Sequence, residues 1–328
     1  MQKVFYTIFL SILAIIFLPF LASAQAVESD ISVEMIPQSP GAFTNVLINL
    51  QSYSINLDSS TITWKVDGKV VAASVGIKNY EIRTGPIGSI TTIVAEVKNN
   101  LNTITKTITI KPSSVDMLWE SYSYVPPFYK GKALPGEESE IHVVAIPQMK
   151  NNIGAMVKPS DVVYSWNRND NAVPGASGYS KQDFTFNSSY LHNSQKVVVT
   201  ASSSIDGTSA RGEVSILPNP QKILFYKSTP LYGLDISKTI NKGFSLKSGE
   251  VTIFAAPYNF SIKDGVDKDL SYKWKINNKI INTPERRNML TIKPISGQVG
   301  VAQIELALES ITKLYELATG QMQVTLGQ

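Results

Sequence analysis

Ile62-Thr63-Trp64-Lys65-Val66-Asp67-Gly68 is the stretch on which the reading of this chain turns. Two others repeat its plan: Tyr164-Ser165-Trp166-Asn167-Arg168-Asn169-Asp170 and Tyr272-Lys273-Trp274-Lys275-Ile276-Asn277-Asn278. In each, an apolar or aromatic residue stands two before the tryptophan, a polar residue lies between, and turn-forming residues follow. Alternation with a period of two marks a strand with one buried face. Asp67-Gly68 accepts the positive φ values of a two-residue hairpin turn. The tryptophans are 102 and 108 residues apart, a period that belongs to whole domains and is longer than a solenoid repeat.

Working outward from each tryptophan gives three similar segments. In residues 31–111, Val46, Ile48 and Leu50 precede Ile62, Trp64 and Val66, and Ile93, Ala95 and Val97 follow; Thr103 to Ile110 then alternates threonine with isoleucine, Lys106 excepted. In residues 115–217 the matching sets are Ile141, Val143 and Ala145, then Tyr164 and Trp166, then Val197, Val199 and Ala201, with a turn at Asp206-Gly207. Pro218-Asn219-Pro220 is a short, stiff link. In residues 222–328 the sets are Val251, Ile253 and Ala255, then Tyr272, Trp274 and Ile276, then Ile304, Leu306 and Leu308. The stretch from Gly300 to Leu317 is rich in Ala, Leu and Glu, a helical composition, but its match to the late strands of the other segments reads it as a strand pair. Short strands punctuated by turns predict an all-β chain of three tandem immunoglobulin-like β-sandwich domains. Trp64, Trp166 and Trp274 are the expected core residues, facing aliphatic neighbours such as Ile48, Ala95, Val199 and Leu306.

Composition narrows the chemistry. The 328 residues include no cysteine, which removes disulfides, thiolate nucleophiles and thiolate metal sites together. Only His142 and His192 are available for histidine chemistry, and with no Cys or acidic residue adjacent in sequence each reads as a surface histidine. The net charge is +4, and no Lys/Arg block has the density of a nucleic-acid-binding tract.

Residues 1–24 read as a signal peptide: Lys3, an uncharged apolar run from Val4 to Leu21, and the Ala22-Ser23-Ala24 cleavage pattern. The competing reading is a retained anchor, because the run is just long enough to span a bilayer. Pro19 and the small-residue site favour cleavage after Ala24, leaving an exported chain with no integral membrane segment.

The Trp-centred strand, the Asp-Gly turn and the alternating late strands resemble the Ig-like and PKD-like repeat domains of exported bacterial proteins. The resemblance spans about Ile31 to Leu326. Only Trp64-Lys65-Val66-Asp67-Gly68 approaches the PKD pattern, and Trp166 and Trp274 depart from it. It implies adhesion, envelope scaffolding or glycan contact, and it supplies no catalytic residue.

The most distinctive candidate surface is the aromatic lead-in of the second segment: Trp119, Tyr122, Tyr124, Phe128 and Tyr129, interleaved with Pro126 and Pro127. Such rings stack on sugars or grip an extended partner, or they seal a joint between domains; a looser copy, Leu224-Phe225-Tyr226 with Pro230-Leu231-Tyr232, precedes the third tryptophan and favours the joint. Asp264, Asp267 and Asp269 form a weak calcium candidate, because their spacing matches no defined calcium loop and Lys263 and Lys268 offset their charge. Glu137, Glu138 and Glu140 read as the charged start of a strand, and Asn187-Ser188-Ser189 and Asn259-Phe260-Ser261 as chance glycosylation tripeptides. With no nucleophile–base pair and no metal set, the expectation is a non-enzymatic protein without cofactors. Its partner would be an envelope or surface protein, or a glycan through the lead-in rings, and no nucleic acid.

Overall fold

The computed structural model describes residues 31–99, 102–191, 193–282, 284–295 and 299–327; the expected signal peptide and His192 lie outside them. The described residues form β-strands, short 3₁₀ turns and loops, with no α-helix. They divide into two compact units, one drawn mainly from residues 45–82 and 91–110, the other mainly from 111–328.

In the first unit, β1 (Ile31–Ile36), β2 (Asn45–Ser52), β3 (Thr61–Val66), β4 (Lys69–Val75), β5 (Asn79–Arg83), β6 (Thr91–Lys98) and β7 (Thr103–Ile110) make two sheets, ordered β1-β2-β5 and β4-β3-β6-β7. Their facing sides meet in one core: Ile31, Val46, Ile48 and Leu50 from one sheet, Ile62, Trp64, Ile93 and Ala95 from the other.

The second unit holds two further sandwiches. The first contains β8 (Ser114–Ser121), β9 (Glu140–Gln148), β10 (Val162–Arg168), β11 (Asn171–Ala172), β12 (Gly178–Tyr179), β13 (Asp183–Asn187), β14 (Gln195–Ser203) and β15 (Ser209–Ile216). Its sheets run β13-β9-β8 and β11-β10-β14-β15, with β12 also on β10. The second contains β16 (Lys222–Thr229), β17 (Gly233–Asp235), β18 (Phe244–Leu246), β19 (Val251–Tyr258), β20 (Leu270–Ile276), β21 (Lys279–Ile280), β22 (Met289–Ile292), β23 (Gly300–Ser310) and β24 (Leu317–Leu326). Its sheets run β17-β16-β19-β22 and β18-β24-β23-β20-β21. All three sandwiches thus share one plan, a sheet led by the first two long strands facing a sheet led by the Trp strand. This is a tandem immunoglobulin-like β-sandwich fold. The Ala-, Leu- and Glu-rich stretch after Gly300 is the hairpin β23–β24, with Ile304, Leu306 and Leu308 fully buried.

Each tryptophan is fully buried, and each solves the problem of its indole N–H in the same way. Trp64 Nε1 donates to the Ile77 carbonyl at 2.8 Å, Trp166 Nε1 to Lys181 at 2.9 Å, and Trp274 Nε1 to Arg287 at 2.9 Å. In every case the acceptor lies two residues before the strand that crosses to the other sheet (β5, β13 or β22). A buried N–H without a partner costs stability, so the ring both fills the core and fixes where the chain changes sheets.

The turn after each tryptophan is also one device used three times. Asp67 and Gly68, Asn169 and Asp170, and Asn277 and Asn278 all have positive φ, which Asn, Asp and Gly tolerate best. The first residue of each pair clamps the following long strand with side chain and backbone. Asp67 Oδ1 accepts from Thr92 N, Asn169 Oδ1 from Lys196 N and Asn277 Oδ1 from Gln303 N, at 2.8–2.9 Å. The backbone N–H groups of Asp67, Asn169 and Asn277 donate back to the carbonyls of the same three residues. Asn169→Ala removes the acceptor and places a β-carbon residue at φ 49°. It is expected to destabilise its sandwich by about 1–2 kcal/mol, read by urea denaturation; Asn169→Asp, which keeps an acceptor, should lose much less.

Candidate functional site

The aromatic lead-in runs from the end of β8 into the loop before β9, and its five rings take different places. Trp119 packs half-buried against the second sandwich's core, with Lys132 Nζ 3.1 Å from its ring centroid. Burial against the ring lowers the Lys132 pKa, and the Glu120 carboxylate opposes that shift. Tyr122 is exposed and donates to Glu120 Oε1 at 3.2 Å. The remaining three rings reach residues of the third sandwich. Tyr124 packs against its core and bonds through the backbone in both directions, to Phe260 O at 2.7 Å and from Asn259 N at 3.1 Å. Phe128 meets Tyr226 edge-on at 5.2 Å, and Tyr129, still 42 % exposed, meets Tyr258 edge-on at 5.6 Å. With Val125 these rings cover a patch of Tyr226, Ala256 and Tyr258 on β16 and β19.

Polar groups complete the joint. Ser123 Oγ donates to Ser139 Oγ at 2.9 Å, and Ser261 Oγ lies 3.3 Å from the same oxygen. Ser139 Oγ accepts from Gly136 N at 2.8 Å, and Ser188 Oγ donates to Gly136 O at 2.6 Å. Glu138, expected only to start a strand, bridges instead: its Oε2 accepts from Tyr315 N at 3.0 Å and its carbonyl from Lys313 Nζ at 2.9 Å. Tyr190 and Tyr315 stack beside it at 3.9 Å. Asn259 of the second glycosylation tripeptide is buried here, its Nδ2 donating to Pro220 O. Burial and the hydrogen bond with Tyr226 push the Tyr258 pKa far above the usual phenol value.

The aspartate loop is turned on itself. Asp264 Oδ1 accepts from Val266 N, while Asp267 accepts from Asp269 N through Oδ1 and from Lys263 N through Oδ2, at 2.8–3.0 Å. These amides hold the Asp267 carboxyl below the usual range. Among the described residues no group of three or more His, Asp or Glu side chains is placed to hold a metal ion, and the three aspartates are not brought together as one.

His142 corrects the sequence reading in one respect. It points outward from β9 and is half-buried, but it has acidic neighbours on both sides: Glu120 Oε1 at 3.4 Å from Nδ1 and Asp183 Oδ2 at 3.4 Å from Nε2. They arrive by register, Glu120 opposite His142 on β8 and Asp183 on β13, and so are distant in sequence. The described grooves are open. One of about 610 Å³ in the first unit is lined by Asn49, Gln51, Ile55, Asp58 and Lys78 among others. Another of about 350 Å³ runs beside Arg168, Val173, Phe184 and Phe186.

No protein-family model matches the chain, and no curated protein matches it. Solved structures of multi-domain β-proteins are remotely similar. The three N-terminal domains of the bacteriophage RB49 highly immunogenic outer capsid protein (Hoc) align over 91 % of this chain and 99 % of theirs, at 9 % identity and a TM-score of 0.27. The fibronectin(III)-like modules of Clostridium thermocellum CbhA align over 58 % and 95 %, at 10 % identity and a TM-score of 0.26. Sidekick-1 immunoglobulin domains 1–5 align over 90 % and 59 %, at 12 % identity and a TM-score of 0.23. Among the described residues no helix is long and apolar enough to cross a membrane.

Proposed function

We propose that the chain is an exported, non-enzymatic scaffold or adhesin that makes protein–protein contacts at the bacterial cell envelope or surface. The observation that carries this reading is the use made of the aromatic lead-in. Tyr124, Phe128 and Tyr129 pack against Phe260, Tyr226 and Tyr258, so the most distinctive rings of the sequence tie two sandwiches into one unit. Fixed spacing between binding modules is what a presenting scaffold requires, because it lowers the ordering cost of engaging a partner at two points. Export rests on Lys3, the apolar run and Ala22-Ser23-Ala24.

One observation favours a second reading, glycan binding. Tyr122 and Tyr129 keep 53 % and 42 % of their surface in solvent, and Trp119 lies on the same lead-in. The deciding experiment immobilises the full chain from an exporting host and challenges it with solubilised envelope proteins and with envelope glycans. Specific retention of a protein, unchanged by Tyr122→Ala and Trp119→Ala, is the expected result. Retention of a glycan, lost on either substitution in a folded protein, would overturn the scaffold reading.

A further inference from the structure

The strand after each tryptophan hairpin lies at the edge of its sheet, and in two sandwiches it is vestigial: β11 and β21 have two residues each. In the first unit the same position holds β4, seven residues long, Lys69-Val70-Val71-Ala72-Ala73-Ser74-Val75. It pairs with β3 on one side, and its other side faces no strand among the described residues. Edge strands are commonly blunted by proline or by charges inside the strand. The long edges β1, β7 and β15 follow that rule, with Glu34, Lys106, and Arg211 and Glu213 in their interiors. β4 has no proline, its one charge is at its first residue, and Val70, Val71 and Val75 are exposed. A bulge at Val71, where the register passes from Trp64↔Ala72 to Lys65↔Val70, leaves Ala72 to Val75 regularly paired to β3.

Charge at the two ends of β4 names the occupant. Lys69 stands at its start. At its far end Gly76 abuts Asp58, since a Cβ on Gly76 would lie 3.0 Å from the Asp58 carbonyl oxygen, and the Asp58 side chain is 74 % exposed with Lys78 at 3.0 Å. Antiparallel pairing of two β4 strands brings the Lys69 end of each copy to the Asp58 end of the other, twice by symmetry. Parallel pairing would set lysine beside lysine.

We propose that β4 is a self-association edge: two copies of this chain pair antiparallel through β4, joining their four-stranded sheets into one, with Lys69 of each copy against Asp58 of the other. The arrangement is isologous and closed, so it yields a dimer and stops there. It goes beyond the scaffold reading and does not rest on it, since the first unit would pair whatever the lead-in binds.

Sedimentation equilibrium of the full chain from an exporting host tests it. A concentration-dependent monomer–dimer equilibrium is expected at low salt. Lys69→Glu alone and Asp58→Lys alone should each weaken the dimer tenfold or more, and the double swap should restore it to within a few-fold of the parent. Both positions are exposed, and circular dichroism will show each variant folded. A chain that is monomeric at all concentrations, or a dimer indifferent to the single swaps, overturns the proposal, as does a double swap that fails to rescue. A β4 edge that captures an extended peptide of another protein would appear as a monomer and is counted against it.

Discussion

Trp166→Ala is expected to produce the largest loss of stability of any single substitution in the second sandwich. The ring is fully buried between β9, β13 and β14 residues, with Phe184 at 5.8 Å, so its removal leaves a cavity that a rigid sandwich cannot close. Large-to-small changes of this kind cost about 3–5 kcal/mol. A second loss adds to it, because the Lys181 carbonyl is left without its indole donor. In a domain of this size each kcal/mol moves the midpoint by roughly 4–8 °C, so one calorimetric transition should fall by about 15 °C or more. Trp166→Phe separates the contributions: it keeps most of the packing and removes only the donor, and it should cost about 1–2 kcal/mol. Equal effects for the two variants would show that the hydrogen bond, and not the ring volume, dominates.

The second large effect is expected from a single methyl group. Gly136 lies against the backbone carbonyl of Asn259, and a Cβ placed there would overlap that oxygen and crowd Gln221 Nε2 at 2.7 Å. A backbone oxygen cannot rotate away as a side chain can. Gly136→Ala should therefore part the serine network from the third sandwich, at about 1–3 kcal/mol for overpacking, with the loss of the Ser188 and Ser139 bonds in addition. The measurement is hydrogen exchange. Amides of Tyr124 and Asn259 should lose protection while those of β14 and β23 keep theirs. Uniform loss across both sandwiches would mean that the joint and the cores are one cooperative unit.

These expectations also show what was legible in the order of residues. Trp64, Trp166 and Trp274 announced the Trp strands because alternation and turn chemistry are local properties. The late hairpin after Gly300 was legible only by comparison with the other two segments, since its Ala, Leu and Glu content favours a helix taken alone. What escaped was long in range. The side chain of Asn169 looks like turn chemistry until Lys196 is placed beside it. The rings of Phe128 and Tyr129 acquire their roles from Tyr226 and Tyr258, about a hundred residues later. His142 was read without acidic neighbours because Glu120 and Asp183 reach it across strands, a matter of register that sequence proximity does not express. Glu138 carries no sign of its bridge, because half of that contact is made by its backbone carbonyl, which any residue possesses.

One small pairing in the third sandwich bears on mechanics. β18 runs parallel to β24, with Phe244, Ser245 and Leu246 against Val324, Thr325 and Leu326. One strand lies near the start of that sandwich and the other at its end. A pull on the two ends of the domain drags parallel strands past each other, so their hydrogen bonds are strained together and must rupture together. Antiparallel strands pulled from a shared end part like a zipper, one bond at a time. A chain that holds a surface under flow or traction would gain from this geometry, since the terminal strand resists tensile force as a shear clamp while remaining an ordinary edge at rest.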